Sequence, residues 1–135
     1  MKKNLLQKLL IIDDDEDILA VTALCLQDIS GINIRCVTSG EEGIKTALDF
    51  QPDLILLDFM MPKMGGAETL KVIKNTPLIA NIPVIFFTAK VLTSEMVEYF
   101  KLGIVEIIVK PYDPLTLASN IMNIWKVITQ NRIQA

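Results

Sequence analysis

Five short runs rich in Ile, Val and Leu recur along the chain, and longer amphipathic stretches separate them. That alternation restricts the possible folds more than any other feature of the sequence. The runs cover residues 9–13, 32–37, 54–58, 84–88 and 106–110. Most are apolar at nearly every position, as strands covered on both faces must be. The stretches between them read as helices. The first spans about 16–29, with Ile18, Val21, Cys25 and Ile29 near one face. The second opens on Ser39 and Glu42, a capping box, carries Ile44, Ala47 and Leu48 inward and ends at Pro52. The third, about 66–75, turns Leu70 and Ile73 in, and the fourth, about 93–102, carries Met96, Val97 and Phe100. The fifth opens at Asp113-Pro114, an N-cap with proline in the first helical position, and carries Leu117, Ile121, Ile124, Trp125 and Ile128. Strand and helix alternating five times predict an α/β fold, a doubly wound five-stranded parallel sheet with five helices on both faces and right-handed crossovers.

Composition bounds the chemistry. At 135 residues, 51% hydrophobic and 21% charged, the chain suffices for one domain with a sizeable core. A net charge of −3 gives no electrostatic footprint for nucleic acid. There is no histidine, which excludes Ser-His-Asp and Cys-His catalytic units, histidine-ligated metal and a phosphohistidine on this chain. Cys25 and Cys36 do not form a CxxC motif and read as small apolar core residues in a reducing compartment. The start, MKKNLLQKLLIIDDD, is broken by Gln7 and Lys8 and runs straight into aspartates, so it is not a signal peptide. No apolar run reaches the roughly eighteen residues of a membrane span. A cytoplasmic protein is expected.

Against such apolar strands, polar residues at strand ends stand out. Asp13 and Asp14 close the first run, Asp58 the third, Thr88 the fourth and Lys110 the fifth. All lie at carboxyl ends, hence on one edge of a parallel sheet, where doubly wound folds bind ligands at the point of strand-order reversal. A strand order 2-1-3-4-5 would set the first and third strands side by side and bring Asp13, Asp14 and Asp58 together. Three close carboxylates repel one another, so that one is protonated or a cation sits among them. Hard oxygen donors suit Mg²⁺. With Lys110 and Thr88 added, an anion on Asp58 would meet metal, ammonium and hydroxyl together, as a phosphoryl group requires. Taken singly, each residue has a plainer reading. DDDED is an acidic helix start, Asp58 a strand-end cap, Thr88 a strand threonine and Lys110 an exposed lysine. The joint pattern outweighs these.

The motifs LLIIDDDED, PDLILLDFMMPKMGG, PVIFFTAK and IIVKPYD, in this order and spacing, resemble the receiver domain of two-component response regulators of the chemotaxis type. The likeness covers roughly residues 8–131, leaving short tails at 1–7 and 132–135. It implies the flavodoxin-like receiver fold with strand order 2-1-3-4-5. It also implies a phosphorylation-dependent switch that accepts a phosphoryl group from a histidine kinase or histidine phosphotransfer protein. Position by position, Asp58 resembles the phosphoacceptor, with Thr88 and Lys110 as the hydroxyl and ammonium that meet the phosphoryl oxygens. Asp13, Asp14, Asp58 and the backbone carbonyl of Met60 resemble the Mg²⁺ ligands. Lys110-Pro111 resembles a peptide usually cis in this family. The resemblance implies no turnover enzyme, only self-directed phosphoryl transfer and autodephosphorylation. Its output would pass to a protein target through the fourth helix, fifth strand and fifth helix, with a homodimer as one option and neither nucleic acid nor membrane as partner. The starting methionine favours a single-domain regulator over the receiver part of a DNA-binding or enzymatic one.

The sequence departs from the family pattern at the readout. An aromatic residue or histidine usually stands three before the lysine, and here it is Ile107, which leaves a non-switching interaction domain as an alternative. Neither Met60 nor Lys90 can act as a carboxylate or amide that positions attacking water, so slow autodephosphorylation is expected. Two rivals come from other classes. A Mg²⁺-dependent phosphohydrolase commonly needs a second acid two residues after its aspartate, where this chain has Met60. A flavin or nucleotide binder needs a glycine-rich first loop, where this chain is acidic.

Overall fold

The protein is described from a computed structural model covering residues 5–89, 93–110 and 112–134. Strands and helices alternate along the chain: β1 (Lys8–Ile12), α1 (Glu16–Leu26), β2 (Asn33–Val37), α2 (Gly40–Phe50), β3 (Leu54–Asp58), α3 (Gly66–Lys74), β4 (Val84–Thr88), α4 (Thr93–Leu102), β5 (Ile104–Val109) and α5 (Leu117–Gln134). The strands form one sheet in the order β2-β1-β3-β4-β5, every pairing parallel. The alternation predicts the doubly wound parallel sheet, and the strand order is the one that the resemblance to flavodoxin-like receiver domains implies.

Side-chain alternation along the strands divides the core in two. Leu9, Ile11, Leu54, Leu56, Ile85 and Phe87 face a layer built from Leu19 and Leu26 of α1 and Leu117, Ile121, Trp125 and Ile128 of α5. Leu10, Ile12, Ile55, Leu57, Val84 and Phe86 face Ala47 of α2, Leu70 and Ile73 of α3 and Met96 of α4. β3 and β4 are buried at every position. The edge strand β2 is exposed or half-buried throughout. Cys36 therefore lies on the surface rather than in the core, while Cys25 packs beside the α1/α5 layer.

Helix ends follow local chemistry. The Asp15 carboxylate accepts the N–H groups of Asp17 and Ile18 and starts α1. Ser39 Oγ accepts the Glu42 N–H at 3.1 Å. The Glu42 carboxylate turns back to the hydroxyls of Thr38 and Ser39 instead of the backbone N–H of a full capping box. α2 stops at Gln51, in the left-handed region at φ 51°, just before Pro52. The start of α3 is pressed against the end of β3. A Cβ on Gly66 would lie 2.6 Å from both the Asp58 carbonyl oxygen and the Phe59 Cα, so only glycine fits there.

Several elements differ from the expected bounds and faces. α1 buries Leu19, Thr22 and Leu26, while Val21 is exposed. Leu48, Val97 and Phe100 are also exposed. β5 begins at Ile104, and α5 begins at Leu117 and runs to Gln134, past 131. Asp113 and Pro114 instead open a turn in which the Asp113 carboxylate accepts the Leu115 N–H and its carbonyl the Thr116 N–H. Where β4 meets β5, Val84 pairs with Ile104 but Ile85 with Glu106. Val105 is thus the additional residue of a β-bulge. Among the described residues no helix is long and apolar enough to cross a membrane.

Candidate functional site

The carboxyl edge of the sheet gathers the strand-end residues as the topology requires. β1 and β3 are neighbours, so Asp13, just past β1, stands beside Asp58, the last residue of β3. Both are nearly inaccessible, at 1% and 4% exposure, whereas Asp14 is exposed. One carboxylate oxygen from each of Asp13, Asp14 and Asp58 falls within 4.8 Å of the others. Asp13 Oδ1 accepts the Asp15 N–H at 2.9 Å, and Asp58 Oδ1 accepts the Met60 N–H at 3.3 Å. Both acids are thereby held in place before any ligand arrives.

Lys110 reaches this cluster from the far side. Its ammonium nitrogen is 2.9 Å from Asp13 Oδ2 and 3.2 Å from Asp58 Oδ1. Its backbone N–H donates to the Thr88 carbonyl at 2.7 Å, which fixes the root of the lysine to the end of β4. Thr88 itself is buried. Burial, and after it the charge of Asp13, push the Asp58 carboxyl up to about 7 against the opposing pull of Lys110. For Lys110, burial alone favours the neutral amine. The hydrogen bonds and charges of Asp13 and Asp58 outweigh it and hold the ammonium above the ordinary lysine range.

One ammonium therefore serves several acids, and the surplus is negative. A buried carboxyl displaced to about 7 marks charge that the protein alone does not neutralise. The donors are all hard oxygens, with neither histidine nor thiolate among them. Such a set fits a small divalent cation that keeps part of its water shell. Beside Lys110 the surface opens into a cleft of about 520 Å³ lined by Asp17, Ile18, Val21, Ala89, Lys110, Tyr112 and Pro114, wide enough to admit an approaching group.

Of the residues singled out from sequence, Asp13, Asp14, Asp58 and Lys110 come together. Thr88 joins them through its backbone. The Met60 side chain is 63% exposed at the rim. Ile107 is half-buried in the α2–α4 layer, and its N–H donates to Glu106 Oε1 at 3.0 Å. Lys90 and Pro111 lie outside the described residues. Sequence reasoning misses two aromatic groups. Phe59, Phe86 and Tyr99 meet edge to face, with centroids 5.4–5.5 Å apart. Tyr112 stacks on Phe87 and bonds its hydroxyl to that of Thr22. Tyr112 lies inside the IIVKPYD motif, so its nearness to Lys110 is available as a signal; its partners, distant in sequence, are not.

Comparison with known proteins agrees with this geometry. The response regulator receiver domain family matches residues 9–122. A probable transcriptional regulator ycf29 of Pyropia yezoensis is 33% identical over 87% of this chain and 52% of its own length. The alkaline phosphatase synthesis transcriptional regulatory protein PhoP of Bacillus subtilis is 34% identical over 80% of this chain and 44% of its own. The chain thus spans about half the length of these curated relatives. Among solved structures, the chemotaxis protein CheY4 of Vibrio cholerae superposes with a TM-score of 0.80 at 26% identity, over 88% of this chain and 98% of that one. The N-terminal domain of a response regulator receiver protein from Methanoculleus marisnigri gives 0.73 at 36% identity, over 87% and 95%.

Proposed function

Because this chain belongs to the response regulator receiver domain family, we propose that it is a phosphorylation-dependent switch whose phosphoacceptor is Asp58. The observation that carries this reading is the placement of a buried carboxylate at the end of β3, with Asp13, Asp14 and Lys110 around it. Receivers take their phosphoryl group from histidine kinases or phosphotransfer proteins, and this chain has no histidine of its own. In the transfer, an Asp58 carboxylate oxygen attacks phosphorus. The P–N bond of the partner's phosphohistidine breaks, its electron pair stays on the imidazole, and an acyl phosphate forms on Asp58.

Lys110, already 3.2 Å from Asp58, pairs with a phosphoryl oxygen as negative charge arrives. Thr88, at the end of the neighbouring strand, supplies a hydroxyl donor to another oxygen. Asp13, Asp14, Asp58 and the Met60 carbonyl would hold Mg²⁺, which supplies further neutralisation of the phosphoryl charge when bound. The phosphorylated state then shifts a two-state equilibrium toward a surface with altered affinity for a protein target, on the face formed by α4, β5 and α5. Ile107 and Thr88 stand on the path from the site to that face.

The test is intact-mass measurement after incubation with Mg²⁺ and acetyl phosphate. The expected result is the mass gain of one phosphoryl group, lost in Asp58→Asn. Labelling that survives Asp58→Asn overturns the assignment. The same assay, followed after donor removal, reads the lifetime. Met60 and Lys90 offer no carboxylate or amide to orient attacking water, so Met60→Asn combined with Lys90→Glu is expected to shorten the half-life about tenfold.

A further inference from the structure

We infer that Tyr112 is a positioning residue for Lys110, acting through a brace to α1 and β4; this rests on the phosphoacceptor reading above. The ammonium of Lys110 sits between two carboxylates, a geometry that tolerates little displacement. The lysine lies in the loop after β5, an edge strand of the sheet. Its backbone has one strong tie on the N-terminal side, the N–H to the Thr88 carbonyl. Two residues on, Tyr112 supplies ties on the other side. Its ring stacks on Phe87 with centroids 5.7 Å apart. Its hydroxyl bonds to the hydroxyl of Thr22, a residue of α1 that is wholly buried.

The loop is thus clamped to the strand that carries Thr88 and to the helix that follows Asp13 and Asp14. Thr22 is a polar residue on the buried stripe of α1, where an apolar side chain would ordinarily sit. Its hydroxyl needs a partner there, and Tyr112 provides one. Neither side chain belongs to the acids and ammonium gathered around Asp58. Their effect on phosphoryl transfer is expected to pass through the lysine.

A double-mutant cycle separates positioning from packing. Tyr112→Phe keeps the ring and removes the hydroxyl; Lys110→Met removes the ammonium. Labelling by acetyl phosphate with Mg²⁺ and urea midpoints are measured for wild type, both single variants and the double variant. The expectation is that Tyr112→Phe slows labelling about tenfold when Lys110 is present and less than about twofold in the Lys110→Met background. Its loss of stability should be the same in both backgrounds. Thr22→Val, which removes the other hydroxyl, should slow labelling to the same degree. Equal slowing in both backgrounds, or a lower urea midpoint with an unchanged rate, overturns the inference. Wild-type protein that takes no label, or label that survives Asp58→Asn, removes the phosphoacceptor reading and this inference with it.

Discussion

At the scale of single residues, the site stores unfavourable charge. Asp58 is a nearly inaccessible carboxyl whose folded value is raised from 3.8 to about 7. Between those values the folded chain holds more protons than the unfolded one, so stability falls as pH rises through the window. Below it both states are protonated and the penalty vanishes. In buffer with chelator, Asp58→Asn is therefore expected to be more stable than wild type by on the order of 1–3 kcal/mol at pH 8. The gap should close toward pH 4. Urea unfolding at a series of pH values checks this, and a gap that does not change with pH refutes it. Added Mg²⁺ should narrow the gap at pH 8 by stabilising wild type alone. These acids are legible in the sequence because a charge at the end of a doubly covered apolar strand is costly unless a partner or ligand meets it. Tyr112 is not, since a tyrosine after a strand is ordinary until Thr22 and Phe87 are seen beside it. Cys36 is misplaced because the reading rests on residue type alone, whereas its strand, with Asn33 and Arg35 and at the edge of the order 2-1-3-4-5, is exposed or half-buried throughout.

At the scale of elements, strands prove easier to read than helix faces. All five strands overlap the apolar runs, most plainly β3 and β4, where a doubly covered strand is apolar throughout and leaves little to confuse. α1 has the opposite difficulty. Its sequence, EDILAVTALCL, is apolar nearly all round, so two stripes compete at helical spacing. Ile18, Val21 and Cys25 form one; Leu19, Thr22 and Leu26 form the other and face the sheet. The threonine makes the correct stripe look polar, and its pairing with Tyr112 explains how it is accommodated. Leu26→Ala should accordingly cost about 2–4 kcal/mol, whereas Val21→Ser should stay within about 0.5 kcal/mol. Thermal or urea unfolding distinguishes the two stripes. The sequence places the start of α5 too early because Asp-Pro is as good a turn opening as a helix cap.

At the scale of the whole molecule, one sheet serves two helical layers, and the two halves of the core share its strands. A defect in the α2–α4 layer should therefore be felt in the other. Leu70→Ala, on α3, is expected to cost about 2–4 kcal/mol. The emission of Trp125, in the α1/α5 layer, should then shift at the same reduced urea concentration at which helical circular dichroism is lost. Separate transitions would show two independently stable layers. The sheet also carries an offset near its edge, the single unpaired residue Val105. Ile104 and Ile107 both pack on the α2–α4 side, three positions apart, an odd step that plain alternation forbids. Beyond the bulge the phase is reversed. Ile108 packs with the α1/α5 layer, and Lys110 follows it onto the side of Asp13 and Asp58. In a strand without that extra residue, the same lysine would come out in the opposite frame, with the sheet between it and both acids. The position of the charge that completes the site is thus counted out from a valine five residues upstream.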